Sequence, residues 1–233
     1  MKYATVKADV RTMFNSIAGR YDLINSALSF GIDKIWRKQL LSMVKGQRFG
    51  TALDVATGTG AFLPALSKIA ESVRGVDLSP EMLRGATKLI AEQGLRNVKV
   101  CEEDALSLSD SSGAIDLITV AFGVRNFESL SAGLREMLRV LKPGGQLLVL
   151  EFGRPENFLM RALYKVYSEN LVPFVGGLIS GDKEAYRYLN RTSMSFPCGH
   201  DFVKIAEAEG FECLEVRPLF TGIAWGYQFK RRG

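Results

Sequence analysis

Residues 51–60, TALDVATGTG, decide how the chain is read, because an apolar run gives way at once to a glycine turn. An amphipathic segment, FLPALSKIAE, follows, so the stretch reads as strand, tight loop and helix. The alternation then repeats. VRGVD (73–77) is a strand, and after it Ser79, Pro80 and Glu81 make a helix start ahead of PEMLRGATKLIAEQ. VKVCE (98–102) and IDLITVAF (115–122) are further strands. Leu130, Leu134, Met137, Leu138 and Leu141 recur at helical spacing until KPGG stops them, and QLLVLEF (146–152) is the fifth strand. Strands alternating with helices predict an α/β fold, a doubly wound and mostly parallel sheet. A last helix, DFVKIAEAE, leads through Gly210 into FECLEVRPL and GIAWGYQFK, whose short link predicts an antiparallel pair at one edge of a seven-stranded sheet.

The flanks read differently. Residues 1–45 carry two helical patterns, FNSIAGRYDLINSAL and KIWRKQLLSMV, with Phe14, Tyr21, Phe30 and Trp36 among them. Residues 155–192 are aromatic-rich and broken by PF and GG, which predicts a helix pair with a kinked joint. The organisation expected is one domain, with a helical N-terminal lid (1–45), a ligand-binding core (46–153), a second helical lid (154–195), and a C-terminal helix with its antiparallel strands (196–233).

Composition removes several functional classes. The chain has 233 residues, 47% hydrophobic and 24% charged, which is the balance of a globular protein with a full core. Its net charge of +5 is spread along the sequence, and the one basic cluster, KRR at 230–232, is too short to argue nucleic acid. A single histidine, His200, leaves no imidazole cluster for a metal and no HExxH. Three widely spaced cysteines form neither a disulfide framework nor a metal site. With no signal-like h-region and no apolar run near the roughly 20 residues that span a bilayer, the chain reads as cytoplasmic.

In an open α/β sheet, ligands bind beyond the carboxyl ends of the strands. The first strand ends in Asp54, followed by Gly58 and Gly60, which allow a tight turn and close approach of a ligand. A dinucleotide fingerprint would need a third glycine where Leu63 stands, which disfavours an NAD(P)-dependent reductase. The second strand ends in Asp77, 17 residues after Gly60 and placed to accept from two ribose hydroxyls. After the third, Asp104 is placed to accept from an adenine amine, beside Glu102 and Glu103. These acids describe a nucleoside pocket without a phosphate cradle, which suits the sulfonium of S-adenosylmethionine. The fourth strand runs into AFGVRN (121–126). Arg125 and Asn126 there either begin a structural loop, Asn126 capping the next helix, or face a substrate above the sheet.

DVATGTG, GVDLSPEML, EEDA and LRVLKPGGQLLVLEF resemble the motif series of the class I S-adenosylmethionine-dependent methyltransferases, which are Rossmann-like. More narrowly, AGRYDLINSALSFGIDKIWR, AFGVRNF, DKEAYRYLNRTSMSFP and TGIAWGYQFK resemble the family that C-methylates the quinol ring in ubiquinone and menaquinone biosynthesis. The resemblance places cofactor contacts on Thr59, Asp77, Asp104 and Ala105. Four positions depart from that family's pattern: Ala121 stands where Ser is common, Asp33 where His is usual, Gly153 where an ExS element ends in Ser, and Tyr227 where His is frequent.

The resemblance implies methyl transfer to a prenylated quinol, demethylmenaquinol to menaquinol first among the choices, with another small-molecule acceptor as the alternative. A nucleobase amino-methyltransferase would carry (N/D)PPY where AFGVRN stands. Arg125, effectively always charged, is assigned to stabilising the oxyanion that develops on the ring, with Asn126 beside it. Tyr21 and Asn25, four apart on a helix, share a face that closes over ring or cofactor. The apolar flank after residue 154 is expected to accept a prenyl tail, which draws the protein transiently to a membrane surface. A homodimer is allowed.

Overall fold

The computed structural model describes residues 7–29, 31–155, 157–168 and 182–232, less the side chains of 7, 8, 20–28, 163, 165 and 183. Seven strands form one sheet: β1 (Phe49–Val55), β2 (Ala70–Asp77), β3 (Val98–Glu102), β4 (Ile115–Ala121), β5 (Leu141–Phe152), β6 (Phe211–Leu219) and β7 (Ala224–Arg231). Their order is β3-β2-β1-β4-β5-β7-β6. The first five are parallel, and β7 lies antiparallel to both β5 and β6. The doubly wound, mostly parallel fold expected from the alternation is present, edge pair included.

The central strands read as unbroken apolar runs because both their faces are covered. Successive side chains point to opposite faces. Leu53 and Val55 of β1, Ile118 and Val120 of β4, and Leu147 and Val149 of β5 join one cluster, with Leu134 and Met137 of α5 (Leu130–Val140) and Phe202 of α8 (His200–Ala208). Ala52, Leu117, Leu148 and Leu150 face the other way, onto Trp36 and Leu40 of α2 (Ile32–Ser42) and Leu63 and Leu66 of α3 (Leu63–Leu66).

Two boundaries differ from the periodic reading, and tertiary contacts are the cause. α3 stops at Leu66, and Ala70 and Glu71 already belong to β2. The carbonyls a longer helix would need are taken from outside: Asn97 Nδ2 donates to Ser67 and Ala70, and the Phe49 amide donates to Ile69. β5 begins at Leu141 rather than after KPGG. Ile115 pairs with Leu141 and Leu117 with Gln146, so residues 142–145 bulge between two rungs. α4 (Pro80–Gln93) starts as its signals require, the Met82 amide donating to Ser79 Oγ at 3.1 Å.

A third, smaller cluster joins the two flanks. Val10, Met13 and Ile17 of α1 (Lys7–Ser29) pack with Met82 of α4 and with Ala185, Tyr186, Tyr188 and Leu189 of α7 (Lys183–Ser195). α6 (Phe158–Val166) precedes α7. Among the described residues no helix is long and apolar enough to cross a membrane.

Strand order reverses between β1 and β4, the switch point where open sheets bind ligands. Each strand is followed there by a non-glycine residue with left-handed backbone, Ala56 at φ 53° and Phe122 at φ 57°. Their loops approach so closely that a Cβ on Gly123 would stand 2.6 Å from the Ala56 Cβ. Gly123→Ala is therefore expected to cost about 1–3 kcal/mol as the loops part, read as a lowered urea midpoint with unchanged slope.

Candidate active site

The carboxyl ends of β1 to β4 open into a cleft of about 830 Å3, counted out to its mouth. Gly58 of the glycine loop, Asp77 at the end of β2, Asp104 and Ala105 after β3, and Ala121 and Asn126 around the end of β4 all line it. Val10, Arg11 and Phe14 of α1 form the wall opposite the sheet.

Asp77 is aimed by backbone. Its Oδ2 accepts from the Gly58 amide at 2.9 Å and its Oδ1 from the Ser79 amide at 2.9 Å. Burial pushes its carboxyl up, and the amides of Ser79, Gly58 and Leu78 draw it back. A carboxylate offers about four acceptor positions, so with three amides bound about one remains for a ligand hydroxyl. Ser79 is itself tied to α1, its hydroxyl donating to Asn15 Oδ1 at 2.6 Å. Arg11 pairs with Glu102 at 2.6 Å, a second link from α1 to a strand end. Asp104 Oδ1 accepts from the Leu106 amide at 3.0 Å, which turns the chain so that Ala105 meets the cleft.

Four expected residues lie outside the cleft lining. Asp54 is beneath the loop, Thr59 packs its methyl against α4 at Gly85, Gly60 sits under Leu63 and Ala86, and Arg125 turns inward. Tyr21 and Asn25 fall within α1, but their side chains lie outside the described residues. The cap of α5 is Ser129, whose Oγ accepts from the Ala132 amide, so Asn126 has no capping duty. Asn126 instead ends a single 3-10 turn, Val124–Asn126.

Glu151 was not singled out by the sequence reading. It closes the apolar run of β5 and is fully buried, paired with the guanidinium of Arg125, whose side chain is 3% exposed. The Arg125 amide also donates to Glu151 Oε2 at 3.3 Å. Burial pushes the Glu151 carboxyl up and the adjacent guanidinium pulls against it. Two polar atoms here have no hydrogen-bond partner among the described residues, Arg125 Nε and Asn126 Oδ1. A lone acid ending a strand that follows an Arg-bearing strand end was the available signal. The lining of α1 had one too, since Val10 and Phe14 are four apart on one helix face.

The ubiE/COQ5 methyltransferase family profile matches residues 2–228. A demethylmenaquinone methyltransferase of Bacteroides fragilis is 40% identical over 221 residues, covering 94% of this chain and 90% of that one. A demethylmenaquinone methyltransferase of Thermus thermophilus is 42% identical over 91% of this chain and 96% of its own. The ubiquinone/menaquinone biosynthesis C-methyltransferase UbiE of Syntrophotalea carbinolica is 42% identical over 94% and 92%. Among solved structures, the [4+2]-cyclase SpnF superposes with TM-score 0.72 at 15% identity, covering 97% of this chain and 96% of its own. A SAM-dependent methyltransferase from Aquifex aeolicus gives 0.61 at 21% identity, over 90% and 97%. The structural likeness is one of fold.

Asp54 has a structural task with a pH signature. It is 1% exposed, and its two oxygens accept from the Thr57 hydroxyl at 2.6 Å and the Thr119 hydroxyl at 2.5 Å. Burial pushes its carboxyl up to about 6, against the pull of both threonines and of Arg37. An unfolded aspartate titrates near 3.9, so between these values the folded protein binds more protons than the unfolded chain. The contribution of Asp54 is thus full below about pH 4 and is lost as pH rises through about 6. Asp54→Asn, which cannot ionise, should gain on the wild type by about 2–3 kcal/mol across that window. Urea unfolding at pH 4, 5, 6 and 6.5 checks this, and a pH-independent gap between the two proteins would refute it.

Proposed function

The chain belongs to the ubiE/COQ5 methyltransferase family, and from that premise we propose that it C-methylates a prenylated quinol, demethylmenaquinol to menaquinol. Its cofactor is S-adenosylmethionine, and the cleft suits that molecule on its own chemistry. Asp77, Glu103, Asp104 and Glu128 line it against the single cation Arg11. Such a wall favours a cationic sulfonium and disfavours the pyrophosphate of a dinucleotide. Asp77 and Asp104 would hold the ribose and adenine ends, with Gly58 and Ala105 allowing close approach. When bound, S-adenosylmethionine supplies an electrophilic methyl group, leaving as the neutral thioether while the ring carbon loses its proton.

The protein's share is to hold the acceptor ring in line, keep water out, and stabilise the oxygen whose electrons make the ring carbon nucleophilic. The observation that carries the quinol reading is the adjacent pair at the end of β4. Arg125 Nε is a donor and Asn126 Oδ1 an acceptor, and neither has a partner among the described residues. Asn126 lines the cleft, whereas Arg125 is buried against Glu151 and would have to turn to reach a substrate oxygen. A phenolic hydroxyl both donates and accepts, so it complements the pair. Asn126 would take the hydroxyl proton's hydrogen bond, and Arg125 would stabilise the developing oxyanion. Tyr21 and Asn25 would close over the ring from α1.

The 154–195 segment would be the lid for the prenyl tail. Phe158, Leu159 and Val166 of α6 are 83%, 66% and 64% exposed. With the exposed Arg154 and Arg161 they form an apolar face with a cationic rim, the chemistry that seats a helix on an anionic bilayer. A lipid-tailed substrate arrives from such a surface.

Labelled-methyl transfer tests the reaction: demethylmenaquinol should accept label, and failure with both it and the corresponding benzoquinol would end the quinol reading. Asp77→Ala should weaken S-adenosylmethionine binding about tenfold or more by calorimetry. Arg125→Ala should leave the affinity for uncharged S-adenosylhomocysteine within about twofold and lower kcat about 100-fold; a loss of affinity for that ligand as large as that caused by Asp77→Ala contradicts the division of roles. In vesicle sedimentation, Phe158→Glu with Leu159→Glu should release the protein from anionic phosphatidylglycerol vesicles while leaving cofactor affinity intact. Unchanged sedimentation removes α6 as the docking face.

A further inference from the structure

Arg125 and Glu151 come from adjacent parallel strand ends and are buried in one another, their side chains 3% and 0% exposed. The contact is many-sided. Glu151 Oε1 accepts from Arg125 Nη1 and from the Phe152 amide at 2.8 Å, and Oε2 accepts from the Arg125 amide. The guanidinium carbon lies 5.2 Å from the Phe152 ring centre, so an aromatic face backs the planar group. Tyr164 of α6 stands near enough to feel both charges.

Burying an ion pair is a poor route to stability, since a well-packed apolar pair of similar volume does as well or better. The pair also sits where charge matters. Ala121, Phe122, Gly123 and Asn126, flanking Arg125 in sequence, line the same cleft as Asp77. A bare guanidinium there would repel a sulfonium in that cleft.

We infer that Glu151 is a positioning residue for Arg125: it fixes the guanidinium plane and cancels its charge, so that the site offers a hydrogen-bond donor to the substrate oxygen without repelling the cationic cofactor. This rests on the quinol-methylation reading for the oxygen, but not for the charge balance. S-adenosylmethionine carries the sulfonium charge and S-adenosylhomocysteine, its demethylated product, does not. Comparing the two ligands therefore isolates the electrostatic part from any general damage to the cleft.

In Glu151→Gln, the Kd for S-adenosylmethionine should rise about three- to tenfold relative to that for S-adenosylhomocysteine. Single-turnover methyl transfer should fall about 100-fold. Glu151→Asp keeps the charge but shortens the reach, so it should preserve the wild-type ratio of the two affinities while still slowing transfer. It also serves should the Gln variant fail to fold. In the Arg125→Ala background, Glu151→Gln should lower the transfer rate by less than about a further twofold, because its effect on transfer runs through the arginine. Equal weakening of both ligands by Glu151→Gln, or a full further loss of rate in the Arg125→Ala background, overturns the inference. A wild-type protein that methylates no quinol but shows the altered ratio in Glu151→Gln overturns the substrate reading alone and leaves the charge balance standing.

Discussion

The buried carboxylate of Asp54 ties the glycine loop of β1 to the neighbouring strand β4, and the cleft is built on that tie. One oxygen holds Thr57 within the loop and the other holds Thr119 on β4. The loop so anchored presents the Gly58 amide to Asp77, and Asp77 in turn accepts from the amide of Ser79. Ser79 caps α4 and binds Asn15 of α1. A chain of short contacts thus runs from the sheet interior to the helix that walls the cleft. Each contact is worth little alone, but the series leaves the ligand-facing carboxylate one orientation.

Charge is distributed with equal economy. The cleft wall around Asp77 is acidic, and the arginine at the end of β4 is answered by Glu151 rather than left bare. Glu103, which also borders the cleft, is bound to Arg74 and held below the usual carboxylate range despite its partial burial, by Ser109, Cys101 and Arg74. Asp77, Asp104 and Glu128 are the other acids of the lining, and the first two are oriented by backbone amides.

Much of this was legible because it is local. Strand alternation, the Ser79 cap and the acids at successive strand ends are properties of short windows, and the switch point follows from topology rules alone. The pairing of Arg125 with Glu151 was not legible, since the two residues are 26 apart and meet only when β4 and β5 align. Thr59 came from the family resemblance, and Gly85 of α4 gives its methyl a place to pack, which no local pattern announces. The shortened α3 has the same origin: its free carbonyls are claimed by Asn97 and Phe49, from elsewhere in the sheet.

The departure at Gly153 also becomes physical in three dimensions. A Cβ there would stand 2.4 Å from Trp225 Cδ1 and 3.0 Å from the Cys198 Cβ, so the indole occupies the room a serine would need. Trp225 packs parallel to Tyr227, whose hydroxyl accepts from the Gly199 amide at 2.7 Å. The volume given up after β5 is thus taken by an aromatic on β7, and the Trp225 Nε1 is left without a hydrogen-bond partner among the described residues. A large side chain and a missing one compensate across the β5–β7 pair. Gly153 is therefore a packing requirement of this chain's own β7, and restoring serine there would demand a smaller residue at 225 before it could restore any polar contact.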